Sequence, residues 1–253
     1  MQRITSLSLA VSLLVLSVAA NAAETSPSGA PAGWPVPVSD AHFSSFVLFD
    51  QLEYRNNADV MHWDVLGWIG GDYNRLWIKS EGDHLTNGDG GEIENLDIMY
   101  GRMIAPFWDL QAGLGYQRQY GPGPDLDRLF AVVGLQGLAP YGLELNANIR
   151  VSEDGDISAD LETEYDLLLT QRLILQPRFE IDYAVQDTED FGVGQGLNSL
   201  CLGLRLRYEI RRELAPYVGV TWKHKLGDTA DLARAEGEDS EDLSVLAGLR
   251  FWF

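Results

Sequence analysis

The chain has 253 residues, with 38 acidic and 18 basic side chains and a formal charge of −20. That balance excludes nucleic acid as a partner, because no Lys/Arg stripe could offset it. A single cysteine, Cys201, excludes an internal disulfide and any zinc or iron–sulfur centre built from cysteines alone.

At the N-terminus, Met1-Gln2-Arg3 is a positive start, Ile4 to Val18 is apolar, and Ala20-Asn21-Ala22 has the form of a cleavage site. Residues 1–22 therefore read as a secretory signal peptide. Residues 23–41, where Pro27, Pro31, Pro35 and Pro37 alternate with Ser, Gly and Ala, read as a linker. From residue 42 to 253 the chain has a period of two. No later run approaches the roughly 18 apolar residues of a membrane helix. Instead, short stretches alternate. Leu143, Leu145, Ala147, Ile149 and Val151 share one face, while Glu144, Asn146, Asn148 and Arg150 share the other. The spacing predicts twelve strands, at 43–54, 60–69, 73–81, 94–103, 107–119, 126–136, 141–152, 156–167, 171–185, 197–210, 215–226 and 241–253. Most reach the 9–11 or so residues that cross a bilayer when tilted.

The predicted connections alternate in length. Turns around Gly70-Gly71-Asp72, Ala105-Pro106, Ala139-Pro140, Leu169-Thr170 and Arg211 to Leu214 are short. Between them lie 82–93, 120–125, 153–155, 186–196 and 227–240, mostly longer and acidic. Short periplasmic turns and longer outer loops are the habit of outer-membrane barrels. The fold class expected is all-β: a transmembrane antiparallel β-barrel of about twelve strands. A secreted β-sandwich would also alternate, but the export signal, strand lengths and turn asymmetry favour the barrel.

The two faces need different solvents. Glu144, Asp160, Glu162, Glu164, Glu180 and Asp182 cannot face lipid, where a charge costs a few kcal/mol. They belong inside, opposite Arg128, Arg150, Arg178, Arg205, Arg207 and Arg250. The acidic wall of Asp160, Glu162, Glu164 and Asp166, with Glu180 and Asp182, would favour passage of cations over anions; the alternative is that the luminal arginines pair with it and plug the barrel as a rigid, ion-pair-lined core. Trp63, Trp77, Trp108, Tyr116, Tyr141, Trp222 and Trp252, near strand ends, suit interfacial belts.

Two long runs carry a resemblance. Leu48-Phe49-Asp50-Gln51-Leu52-Glu53-Tyr54-Arg55 and the stretch from Gly67 to Lys79, containing Gly-Gly-Asp-Tyr-Asn-Arg-Leu-Trp, resemble the copper resistance protein B (CopB/PcoB) family. Gly142-Leu143-Glu144, Ile181-Asp182-Tyr183 and the ending from Ser240 to Phe253 fit the same family, and the terminal Phe253 is similar to an outer-membrane assembly signal. The resemblance implies an outer-membrane barrel surrounded by lipid. It also implies copper resistance by binding or exporting surplus copper, as Cu(I) or Cu(II), and a periplasmic multicopper oxidase as partner. Many members carry a Met/His-rich extension before the barrel, whereas residues 23–41 here contain neither residue. The alternative is an acidic cation-selective porin, or a structural barrel, without a specific copper site.

Potential copper ligands are few. His62 shares the luminal face with Asp64, and Met99 shares it with Asp97; Met103 has the same parity. Thioether and imidazole donors suit copper, so His62, Met99 and Met103 are the expected metal contacts. Cys201 is a weaker luminal candidate. His42 opens the first strand, His84 is expected in an acidic outer loop with Glu81 and Asp83, and His224 is expected on the outer surface. Neither a G-x-S-x-G nor an H-E-x-x-H motif is present, and no enzymatic activity is expected.

Overall fold

The computed structural model describes residues 43–121 and 125–253. The expected leader at 1–22, the linker at 23–41 and His42 lie outside the described residues. The strands are β1 (Ser44–Arg55), β2 (Val60–Gly70), β3 (Asn74–Leu85), β4 (Gly91–Ala105), β5 (Trp108–Tyr120), β6 (Leu126–Ala139), β7 (Leu143–Ser152), β8 (Ile157–Tyr165), β9 (Leu167–Leu168), β10 (Leu173–Ala184), β11 (Gly196–Tyr208), β12 (Leu214–Lys225) and β13 (Glu241–Trp252). The two residues of β9 continue the line of β8 along β10. Twelve long strands therefore form the wall. Each pairs antiparallel with its sequence neighbours, and β1 pairs with β13 from Leu48↔Trp252 to Arg55↔Leu246, closing the barrel. Val47 and Phe253 exchange two backbone hydrogen bonds of 3.0 Å at the seam. Closure leaves no strand edge to present bare N–H and C=O groups to hydrocarbon.

The alternation predicted from sequence becomes the two sides of this wall. Leu114, Ile149, Val218, Leu243 and Val245 stand exposed on the outside, as lipid-facing residues must. The long strands run from 9 residues in β8 to 15 in β4, enough to cross hydrocarbon with margin at both ends.

The end bearing 71–73, 106–107, 140–142, 169–172 and 209–213 has only short turns. The opposite end is less uniform than predicted. Residues 82–93 are not a loop: β3 and β4 run on to Leu85 and from Gly91, leaving only 86–90 as the connection. The acidic residues there suggested solvent, but the solvent they face is the lumen. Only 185–195 and 226–240 are long, and the latter contains an α-helix, α1 (Gly227–Glu236), ended by Gly237 at φ 84°. These two connections are tied together, because the Gly194 N–H donates to Thr229 Oγ1 at 2.8 Å. Phe191 lays its ring 4.1 Å from the Arg128 guanidinium. Arg128 thus finds two rings and Gln117 Oε1, at 2.7 Å, rather than the carboxylate expected of it.

Trp77 also departs from the expected belt. It is 5% exposed and lies inside the lumen, because it alternates with outward Leu76 and Ile78 on β3. Its indole covers Gly101, where a Cβ would come within 2.4 Å of Nε1. With Met99, Phe130 and Val132 it forms an apolar patch on the inner wall, flanked by Leu66 and Trp68.

One glycine sets the spacing of the interior. Arg150 on β7 reaches across β6 and β5 to Asp97 on β4, with bonds of 2.8 and 2.9 Å from its two terminal nitrogens. The bridge passes directly over Gly115, where a Cβ would stand 2.5 Å from Asp97 Oδ1 and 3.2 Å from Arg150 Nη1. Gly115→Val is expected to break the bridge and to destabilise the barrel by about 1–3 kcal/mol. The midpoint of urea unfolding in lipid vesicles measures this, and an unshifted midpoint would refute it.

Candidate functional site

The lumen is built from the charged face of the wall. On β8 and β10, Glu162, Glu164, Arg178 and Glu180 project inward, and Arg178 sits at their centre with 4% exposure. Its guanidinium lies 3.1 Å from Glu162, 3.2 Å from Glu164 and 3.3 Å from Asp64, with Glu81 at 3.7 Å and Glu180 in direct contact. Asp64 and Glu81 belong to β2 and β3, and in a ring of twelve strands β3 lies six strands from β10 in either direction. Arg178 is therefore a tie across the full width of the barrel. A cation caged by five carboxylates in a space with low-dielectric walls is held firmly.

Three β-bulges enrich this interior beyond what strict alternation allows. Opposite β2, Phe49 pairs with Val65 and Gln51 with Asp64, so Asp50 is an extra residue. An extra residue flips the parity of the strand beyond it. Asp50 and Gln51 consequently both point inward: Asp50 meets Arg250 at 2.5 Å, and Gln51 meets Arg205 at 2.5 Å. Glu53 is fully buried and accepts from Arg205 twice, and from Arg55 and Tyr217, all at 2.9 Å. The same device on β4 leaves Glu94 extra opposite β3, so that Glu94 and Asn95 both line the interior. On β11 it buries Asn198 and Ser199 together. Alternation alone could not show these pairs; the adjacent polar residues Asp50-Gln51, Glu94-Asn95 and Asn198-Ser199 were the available signal.

The interior holds two spaces. A central cavity of about 880 Å³ extends to Pro106 and Phe107 at the short-turn end. A vestibule of about 610 Å³ lies toward the long connections, lined in part by Phe191, Thr229 and Ala233. Glu94, Asn95, Arg150, Asp160, Asp182 and Lys223 line both and so form the neck between them. The central cavity is bordered by twelve carboxylates and six basic side chains. The lining thus carries six more carboxylates than basic side chains.

The three expected metal contacts all face inward, in separate places. His62 is 2% exposed, with Nδ1 2.8 Å from Asp83 Oδ1. Its Nε2 is buried without a hydrogen-bond partner and lies 3.9 Å from Glu81 Oε1. A carboxylate fixing one nitrogen while the other stays free is the arrangement that orients a metal-binding histidine. Met99 is wholly enclosed among Trp77, Phe130 and Val132. Met103 lines the central cavity near Pro106. His62 is in register with Asp83, and Asp83 with Glu92, eleven residues along β4 from Met103. At about 3.3 Å per residue that separates His62 from Met103 by roughly 35 Å along the wall. No single ion could meet both. Among the described residues, no three His, Cys, Asp or Glu side chains are grouped to hold a metal ion.

Cys201 is buried with its Sγ 3.4 Å from Thr221 Oγ1. His84 is a strand residue, not a loop residue. It points outward and meets the Tyr120 hydroxyl at 3.1 Å, while Glu81 and Asp83 face the lumen, so the trio expected there does not form. His224 stacks on Trp222 with centroids 5.5 Å apart.

A profile of the family described as copper resistance protein B precursor (CopB) matches residues 43–253. The chain belongs to the copper resistance protein B family. Copper resistance protein B of Escherichia coli is 44% identical to this CopB-family chain over 218 residues, covering 85% of it and 72% of the relative. The copper resistance protein B homolog of Pseudomonas syringae pv. tomato (strain ATCC BAA-871 / DC3000) is 41% identical over the same shares. Among solved structures, the NanC porin aligns over 82% of this chain and 99% of its own, at 12% identity and a TM-score of 0.49. Membership and the closed barrel together place this CopB-family protein in the outer membrane.

The Glu53 knot offers a direct test of how the lumen of this CopB-family barrel is held. Glu53→Leu leaves buried Arg205 with Gln51 alone and removes the acceptor of half-buried Arg55 and buried Tyr217, and is expected to destabilise by about 3–5 kcal/mol. Adding Arg205→Leu should restore a large part of that loss. Urea titration of both variants in vesicles checks the pair, and equal instability of single and double variants would argue against it.

Proposed function

We propose that this CopB-family barrel serves copper resistance as an acidic conduit that admits and weakly holds cations, copper among them, without a dedicated high-affinity site. The observation that supports this reading is the excess of six carboxylates around the central cavity, which continues through a neck into the outer vestibule. Copper here is cargo. Oxygen donors dominate the lining, and a carboxylate–imidazole set suits Cu(II) better than Cu(I), which prefers soft sulfur. His62 is the nitrogen donor best prepared for Cu(II), because its free Nε2 lies beside Glu81. Met103 is the sulfur donor with access to the cavity, and Met99 acts chiefly in packing. The multicopper oxidase implied by the family would meet the barrel at its short-turn end, where such barrels face the periplasm.

A cation-selective barrel with no preference for copper is the second reading. It is favoured by the absence of any grouped metal ligands among the described residues.

Reversal potentials across planar bilayers, under a potassium chloride gradient, are expected to show cation selectivity; anion selectivity would overturn both readings. Retention of copper and zinc after equilibrium dialysis separates them. In the conduit reading, wild type retains copper weakly and above zinc, and His62→Ala lowers Cu(II) retention severalfold. Met99→Ala should leave Cu(II) retention unchanged while lowering stability by about 2–5 kcal/mol. Equal retention of copper and zinc, indifferent to His62, would leave the general cation barrel.

A further inference from the structure

The neck between cavity and vestibule contains two basic side chains in very different states. Arg150 is committed: both terminal nitrogens bind Asp97, and Nε binds Asp160 at 3.0 Å. Lys223 is loosely held, with Glu94, Asp83 and Asp182 around it. Its ammonium stands 3.8 Å from a Glu94 carboxylate oxygen, its one ion pair among the described residues and longer than a hydrogen bond, and its side chain is 44% exposed. Glu94 is on β4 and Lys223 on β12, five strands apart by the shorter way round a ring of twelve, so this contact also crosses the lumen.

The neck carboxylates differ in the same way. Asp160 accepts from Asn148 at 2.6 Å and from Arg150. Asp182 accepts from Ser199 at 2.5 Å through one oxygen. Glu94 has the distant ammonium as its one ion pair among the described residues, with Glu81 and Glu92 as carboxylate neighbours, and the bulge that presents it makes it an added inward group. The border between the two spaces therefore has one lightly held carboxylate, one half-engaged carboxylate, and a cation on a four-carbon stem between them.

We propose that Lys223 is the specificity-determining residue of the conduit, a tethered cation that a passing cation must displace from Glu94. A monovalent ion brings the same charge as the ammonium and gains nothing by the exchange. A divalent ion brings twice the charge to Glu94 and Asp182 and drives the lysine aside along its stem. Lys223 thus biases the neck toward divalent cations and suppresses monovalent leak. This inference rests on the conduit reading above.

The test uses the full chain, refolded into planar bilayers, as wild type, Lys223→Gln, Lys223→Met and Lys223→Arg. Heat-modified gel migration reports folding of each, and the two neutral variants back each other. Potassium conductance and the potassium–calcium reversal potential are then recorded, with copper(II) as a second divalent probe. The neutral variants should conduct potassium severalfold better and lose divalent preference, while Lys223→Arg, which keeps the charge, keeps potassium conductance low. A silent wild type beside conducting neutral variants would also support the proposal. If wild type conducts and the folded neutral variants match it in both readouts, the proposal falls and the conduit stands. If wild type and the folded neutral variants are all silent, the conduit falls and takes the proposal with it.

Discussion

A wall that touches hydrocarbon on one side has a single place to put its charge. The strands of this barrel alternate except at their bulges, and each inward residue is forced into a shared enclosed volume with residues from strands far away in sequence. Arg178 illustrates the result: Asp64 and Glu81 reach it from more than a hundred and from nearly a hundred positions earlier in the chain. The fold, the acidic lining and the ties across the lumen are consequences of that one partition between lipid and interior.

Charge is not spread evenly among those ties. Arg178, Arg150 and Arg205 are each bound by several acceptors and are almost fully buried. They act as internal struts, because removing either end leaves an uncompensated charge in a poorly solvated space. Lys223 has the same sign and sits in the same lumen but has one distant partner. The difference between framework and working part is therefore one of coordination number. Arg suits the first role, through its planar fork, and Lys the second.

Much of this was legible in the sequence. Alternation placed twelve strands within a few residues of their observed limits and assigned Asp97, Met99 and His62 to the lumen, because parity depends only on local spacing. What was not legible depended on register. A bulge changes parity without changing composition, so the inward turn of Gln51 and Glu53 was hidden. Acidic residues at 81–83 resembled a loop because water in a lumen and water outside select the same side chains. Trp77 resembled an interfacial residue for the reverse reason: large rings suit both a lipid headgroup and an inner apolar patch. Helix α1 has short polar sequence and little amphipathic signal, and its position is set by contacts with β11 and β12 and by Thr229. The partners of Arg178 and Lys223 could not be paired from sequence at all, since each contact spans the ring.

The apolar patch of Trp77, Met99, Phe130 and Val132 lies on β3, β4 and β6, and Leu66 and Trp68 extend it onto β2. Of the twelve carboxylates around the cavity, five lie on β8 and β10, on the other side of the ring, and four, Asp64, Glu81, Glu94 and Asp97, stand beside the patch on β2 to β4. The patch therefore interrupts the charged lining without dividing it into halves. Water that solvates the surrounding side chains finds no polar partner over these rings, so the hydration of the inner wall is broken at this one place.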